Sequence, residues 1–388
     1  MKQGWEIKKL GEVCKFFRGL TYSKGDEVET SNKMVLRSNN VDLETNTLVF
    51  DDMKCLREDF DIDEDKKVKP GSILICMSNG SKQHIGKVAF IKEAIDYAFG
   101  GFMGLIYPYK DYSAKYVYYA CTSSAFKHFL AGIGNGIGIT NLRFSDLSEF
   151  TIPVPPLPEQ EKIVSELDCL SGIIEKKRQQ LKELDALAQS IFYEMFGDPV
   201  TNEKGWEVKK IGDVCNFSQG VQIDVPLQST EKKEGWNRFL RIVDYTTCNT
   251  DMRYVKVSNE KYFVKQDDVV VVRYGASAGF VGIDKEGVLA NNLFKLNHDR
   301  KILSYKYLYY LLSTDYYKSF IKDVAFGAAM PALSFSSFKM FRIFLPPLPL
   351  QQTFAAKIEA IEKQKELIKQ SLGEVETLFN SRMDYYFN

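Results

Sequence analysis

Apolar side chains recur in alternating steps of four and three at Ile163, Leu167, Leu170, Ile174, Leu181, Leu184, Ala188, Ile191 and Met195, interrupted only by Lys177. The same rhythm returns 191 positions later at Phe354, Ile358, Ile361, Ile368, Leu372, Val375, Phe379 and Tyr386, with Lys365 and Arg382 at the polar steps. A seam of this period, sustained over more than four heptads, predicts two long coiled-coil helices. Pro158 suits a first helical turn, and Glu159 and Glu161 set negative charge against the positive end of the dipole. Gly197 followed by Asp198-Pro199 predicts the stop, so the first helix spans 157 to 196, about 60 Å at 1.5 Å per residue.

Outside these helices the pattern shortens. Turn-bounded apolar runs such as Ser72-Ile-Leu-Ile-Cys-Met and Asp268-Val-Val-Val-Val-Arg predict buried strands, each leading into a small-residue turn, Ser78-Asn-Gly-Ser or Tyr274-Gly-Ala-Ser. Tyrosine-rich helical patterns follow at Ala114-Lys-Tyr-Val-Tyr-Tyr-Ala and Ser304-Tyr-Lys-Tyr-Leu-Tyr-Tyr-Leu. The fold class is α+β, with two mixed, strand-rich globular regions joined by two long helices.

The chain is also an internal repeat. GWEIKKLGEVC at 4 to 14 returns as GWEVKKIGDVC at 205 to 215, and PPLPEQ at 155 to 160 returns as PPLPLQ at 346 to 351. Each half reads as opening block, variable insert, proline stop and long helix. The inserts barely resemble each other in sequence, yet the shared order of elements predicts one fold. The first helix delivers the chain to the second opening block. The second ends at Phe387, the equivalent of Phe196, where the free opening block at residue 4 would come next. The helices are therefore predicted to run antiparallel, with a pseudo-twofold between the halves and the termini close together.

Composition removes several alternatives. With 388 residues, 45% hydrophobic and 26% charged, the chain is that of a globular protein of two or three domains. No apolar run approaches the roughly 18 residues of a membrane span, and Met1-Lys-Gln-Gly-Trp-Glu lacks the features of a signal peptide, so a cytoplasmic location with no membrane partner is expected. The cysteines at 14, 55, 76, 121, 169, 215 and 248 show no CxxC spacing, as expected for reduced thiols, and His84, His128 and His298 are too scattered for a zinc finger or HExxH centre. No metal site and no catalytic residue is assigned.

Taken together, the paired openings, the PPLPEQ and PPLPLQ helix entries and the GSILICMSNGS and DDVVVVRYGAS strand-turn segments resemble the specificity subunit of type I restriction-modification enzymes. The resemblance covers essentially the whole chain. It implies target recognition domains at 1–156 and 198–345, each reading half of a split sequence in double-stranded DNA, and spacer helices at 157–197 and 346–388. The helices would dock two methyltransferase subunits that use S-adenosylmethionine to modify adenine, and restriction subunits that use ATP and Mg would join the same core. This chain itself would bind no cofactor.

Charge bears on that reading. Residues 1–150 hold 20 basic and 20 acidic groups, and residues 201–345 hold 21 and 16, so only the second insert is basic. Phosphate neutralisation dominates DNA affinity, and partner subunits are therefore expected to supply much of the phosphate grip. The acidic run from Glu58 to Asp65 is expected to face away from DNA. Base-edge reading needs paired donors and acceptors on exposed turns. The candidates are Arg18, Tyr22, Lys24, Arg37, Asn39, Asn79, Ser81, Lys82 and Gln83 in the first insert. In the second they are Gln219, Gln222, Arg241, Arg273, Tyr274, Ser277, Asn291 and Asn292.

Two rivals are weighed. A methyltransferase would carry a Gly-rich loop and an Asn or Asp before Pro-Pro and an aromatic residue, but Val154 precedes Pro155-Pro156 and Leu345 precedes Pro346-Pro347. The glycines at 134, 136 and 138 leave GxGxxG incomplete, and no GxxxxGK[ST] loop exists. The other rival is a coiled-coil scaffold that holds two protein-binding domains without DNA recognition. Steep salt dependence of DNA retention separates it from a DNA reader.

Overall fold

The protein's structure is a computed structural model that describes residues 4–133, 141–247, 251–325 and 331–388, with Lys82 described by its backbone alone. Cys248 and the glycine run at 134 to 138 lie outside the described residues. The chain forms two compact units, Met1–Arg178 with Gln370–Asn388, and Gln179–Lys369. Both long helices pass from one unit to the other, Leu157–Phe196 and Leu348–Phe387. Gly197 sits in the left-handed region at φ +77° and its amide donates to Tyr193 O, which ends the first helix where the sequence predicts.

Each unit repeats one topology. In the first, strand Glu6–Lys9 of the opening block pairs antiparallel with Thr151–Val154; in the second, Glu207–Lys210 pairs with Arg342–Leu345. A central four-stranded sheet follows, in the order Cys14–Arg18, Met103–Pro108, Ile73–Cys76, Val88–Phe90 in the first unit. Its counterpart runs Cys215–Gln219, Leu293–His298, Val269–Val272, Val281–Gly282. A second sheet holds the parallel pair Lys33–Leu36 with Ala98–Phe99, matched by Asn237–Leu240 with Gly287–Leu289. The two inserts thus share one fold, as the common order of elements predicts, although their sequences barely match.

The apolar runs have a physical cause in this layering. Ile73, Ile75 and Ile106 face a core with the helices, whereas Leu74, Cys76 and Leu105 face Leu36 and Phe99 of the second sheet. The second unit divides Val269 and Val271 from Val270 and Val272 in the same way. A strand buried on both faces needs no polar alternation.

Every seam position of both helices is buried or half-buried. Full burial is reached where the helices enter the cores, at Ile163 and Leu167 in the first unit and at Ala188, Phe354, Ile358 and Ile361 in the second. Leu170, Ile174, Leu181, Leu184, Ile191, Ile368, Leu372, Val375 and Phe379 are half-buried. Within the first unit Arg178 pairs with Glu376 at 2.7 Å and Arg382 with Glu166; within the second Lys365 pairs with Asp185, and the rings of Phe192 and Phe354 lie 5.7 Å apart. Numbers rise along one helix as they fall along the other, so the strands of the coil are antiparallel in each unit. Trp5 stacks on Tyr386 at 6.5 Å, which brings the two ends of the chain together as the repeat order predicts.

The repeated glutamine of the proline blocks joins head to helix. Buried Gln160 accepts from Ser113 N at 2.9 Å and donates to Pro155 O at 2.9 Å. Gln351 accepts from Ser304 N at 2.8 Å and donates to Pro346 O at 2.8 Å and Ile302 O at 3.0 Å. The Tyr116 and Tyr307 hydroxyls add bonds to Pro153 O and Phe344 O, and Lys115 and Lys306 reach Asp168 and Glu362 on the helices. Gln351→Ala would leave one donor and two acceptors buried without partners, a loss of about 2 to 3 kcal/mol. Equilibrium urea unfolding checks this, and an unshifted midpoint would deny the residue its role as a pin.

Candidate nucleic-acid interface

The strand order carries most predicted readers of the first unit to one region. Arg18 ends strand Cys14–Arg18 and is exposed, and Lys24 opens a short 3-10 turn, Lys24–Asp26, stabilised by Ser23 N donating to Asp26 at 2.8 Å. Tyr22 is instead half-buried against Leu20, Val35 and Leu56; that burial, followed by the nearby Glu27, raises its phenol. Arg37 and Asn39 follow strand Lys33–Leu36 and share one partner, with Arg37 Nη2 at 3.2 Å and Asn39 Nδ2 at 3.1 Å from Asp52 Oδ2. Asn79 joins this group by donating to Ser38 Oγ at 2.6 Å, while its own carbonyl accepts from Ser81 N. Ser81 and Gln83 are exposed in the same turn; the Lys82 side chain lies outside what is described.

The second unit draws its candidates into a tighter knot. Gln219 accepts from Arg273 Nη1 at 2.6 Å and donates to Asn291 O at 2.7 Å. Arg273 also donates its backbone amide to Asn292 O at 2.8 Å, and its guanidinium lies over Tyr274 at 4.9 Å and Phe335 at 4.3 Å. Ser277 is half-buried in the turn that follows, and Gln222 is exposed. Arg241 stands apart, with Nε 3.1 Å from Asp244 Oδ2, Nη1 3.3 Å from Asp251 Oδ2 and Nη2 bonded to Asp251 O. Hydrogen bonds from Arg253, then Arg241, hold the Asp251 carboxyl below its ordinary range.

Arg37 and Arg241 are equivalent. Each follows the strand of a parallel pair, and each guanidinium meets the carboxylate and the backbone carbonyl of an aspartate, Asp52 or Asp251, from the loop beyond. As acceptors the aspartates carry no sign of base reading in the sequence, although Asp52-Met53-Lys54 and Asp251-Met252-Arg253 repeat one pattern at the entry to equivalent strands. At other matched positions the chemistry diverges. Arg18 corresponds to Gln219, each the last residue of its strand. Met77 corresponds to Arg273, and Phe102 to Asn292, because Met77 N donates to Phe102 O as Arg273 N does to Asn292 O.

Residues 2–185 and 203–377 each match the type I restriction modification DNA specificity domain. The chain belongs to this family. Among type I specificity subunits it is 23% identical to that of the StySPI enzyme of Salmonella potsdam, over 98% of this chain and 87% of the other. It is likewise 23% identical to that of EcoKI from Escherichia coli K12, over 96% and 85%. A crystal structure of the type I S subunit from M. genitalium shares the fold at a TM-score of 0.61 with 14% identity, covering 99% of this chain and 96% of that one. Both matched segments carry the opening block and the proline block. Among the described residues no helix is long and apolar enough to cross a membrane, and no three His, Cys, Asp or Glu side chains gather as a metal site.

Proposed function

We propose that this chain is the non-catalytic, sequence-reading subunit of a type I restriction-modification complex, with each unit reading one half of a bipartite duplex target. The carrying observation is one frame with two sets of side chains. Strand ends and turns superimpose in topology, yet present Arg18, Met77 and Phe102 in one unit and Gln219, Arg273 and Asn292 in the other. Unlike donor and acceptor sets on a common scaffold are what two different half-sites require. The shared Arg37 and Arg241 serve as bidentate groups available to guanine edges or phosphates once Asp52 and Asp251 release them.

The long helices then act as spacers and as the docking surface for two methyltransferase subunits. Those partners carry S-adenosylmethionine, and restriction subunits bring ATP and Mg to the same assembly. The half-sites are separated by an unread gap, their centres on the order of one helical turn, 34 Å, apart. A genome-wide methylation map with and without this chain tests the reading, and bipartite methylation should vanish without it. Replacing Asn79 to Gln83 with alanines should alter preference at one half-site only. Unchanged methylation in the deletion, or altered letters at both half-sites in the variant, would overturn it.

A further inference from the structure

Phe102 is 73% exposed, the most exposed of the large hydrophobic side chains in the described residues. Its backbone is nevertheless fixed. The Phe102 carbonyl accepts from Met77 N at 2.9 Å and from Ser78 N at 3.1 Å, tying it to the turn that carries Asn79, Ser81 and Gln83. Two residues earlier, Gly100 N donates to Leu36 O at 2.9 Å, beside Arg37. One residue later, Met103 O accepts from Gly19 N at 3.2 Å, beside Arg18. The turn bearing Phe102 is therefore the hub at which all three clusters of candidate readers meet. An apolar ring held in water at the centre of a polar surface gains nothing for the fold, since truncating it removes little packing.

The matched position in the second unit sharpens the point. Asn292 holds the same backbone station, with its carbonyl bonded to Arg273 N, and presents an amide whose oxygen is buried without a hydrogen-bond partner among the described residues. One unit thus places an aromatic hydrocarbon, and the other a hydrogen-bonding group, at the same place among its readers. Apolar side chains inserted between base steps unstack them and kink the duplex, and stacking on an aromatic ring tolerates any base.

We propose that Phe102 is an aromatic wedge that stacks against an unstacked base step in the half-site read by the first unit, a contact for which the second unit, with half-buried Asn292 at the matched position, has no aromatic counterpart. The inference rests on the proposed DNA-reading function and adds to it that the two half-sites are deformed unequally. The half-site facing Phe102 is read partly through the ease with which its sequence opens.

The test uses the full chain assembled with its methyltransferase partner on duplexes carrying the target. 2-Aminopurine replaces in turn each adenine, on either strand, of both half-sites and of the base pairs beside them, except the methylated base. The wild-type complex should raise fluorescence at one step of the first half-site. Phe102→Ala should abolish that rise and weaken binding about ten-fold or more, with an unchanged melting midpoint of the chain. Phe102→Trp should retain both signals. No rise in the wild-type complex, or an undiminished rise with Phe102→Ala, would overturn the wedge while leaving sequence-selective binding intact. Loss of assembly with the methyltransferase in the absence of DNA would place Phe102 on a protein interface and overturn it too. A wild-type complex without sequence-selective binding would instead remove the DNA-reading function itself.

Discussion

Gly220→Ala is expected to unfold the sheets of the second unit, and Gly19→Ala those of the first. These glycines follow equivalent strands and lie against the backbone of the neighbouring parallel element, where Val221 N donates to Leu289 O and Leu20 N to Phe99 O. A methyl group on Gly220 would sit 2.5 Å from the Ala290 carbonyl carbon and closer still to the oxygens of Leu289 and Ala290. On Gly19 it would sit 2.7 Å from Phe99 O and closer to Gly100 O. The obstacle is main chain on both sides, so no rotamer change relieves it, and the parallel bridge must open. Overpacking of this kind costs about 3 kcal/mol or more. Thermal unfolding with limited proteolysis reads the result, and resistance equal to wild type in the affected unit would contradict the steric argument. Each substitution should also erase preference at one half-site alone.

Asp244→Ala should be nearly as damaging. The carboxylate side chain is fully buried, 3.3 Å from Arg238 Nη2 and 3.1 Å from Arg241 Nε, and it accepts the Arg241 backbone amide at 2.8 Å. Removing it takes the carboxylate from Arg238 Nη2, Arg241 Nε and the Arg241 amide, although Asp251 still holds the other guanidinium nitrogens of Arg241. Breaking a buried ion pair from one side costs about 3 to 5 kcal/mol, and the partial exposure of both arginines argues for the lower figure. The first unit supplies the control, because Asn40 stands at the equivalent station and caps Arg37 N at 2.9 Å. Asp244→Asn should therefore keep the cap and lose less stability than Asp244→Ala. Equal losses in chemical unfolding would show that the charge rather than the cap holds this turn.

The long helices were legible to within about two residues because a seven-residue period leaves few alternatives and Gly197 marks a stop by backbone geometry. The glutamines of the proline blocks were visible as repeated letters, but nothing local to 160 or 351 tells that they reach Ser113 and Ser304 across 47 positions. The inserts were legible as strand-rich regions of one common fold with a tyrosine-rich helix in each, but their strand order was not. Doubly buried runs such as Val269 to Val272 carry no alternation from which to infer a second sheet. Among the candidate readers, polar donors in the sequence point to Arg37, Arg241 and Arg273 but not to the aspartates that hold the first two, nor to Phe102, because hydrocarbon is not a base-edge partner. They point equally to Tyr22, whose ring is half-buried in packing. Polarity tells which atoms a side chain offers, whereas the contacts that satisfy them are set by tertiary structure.

The junction built on Gln160 and Gln351 has a consequence for how such proteins change. The polar fastening uses one glutamine, one tyrosine hydroxyl, one lysine that reaches a helix carboxylate and otherwise main-chain groups, and both units use the same parts. A foreign insert that carries the same few residues would meet the same polar socket. New target preference can therefore be acquired by exchanging a whole cassette, without retuning the rod that receives it.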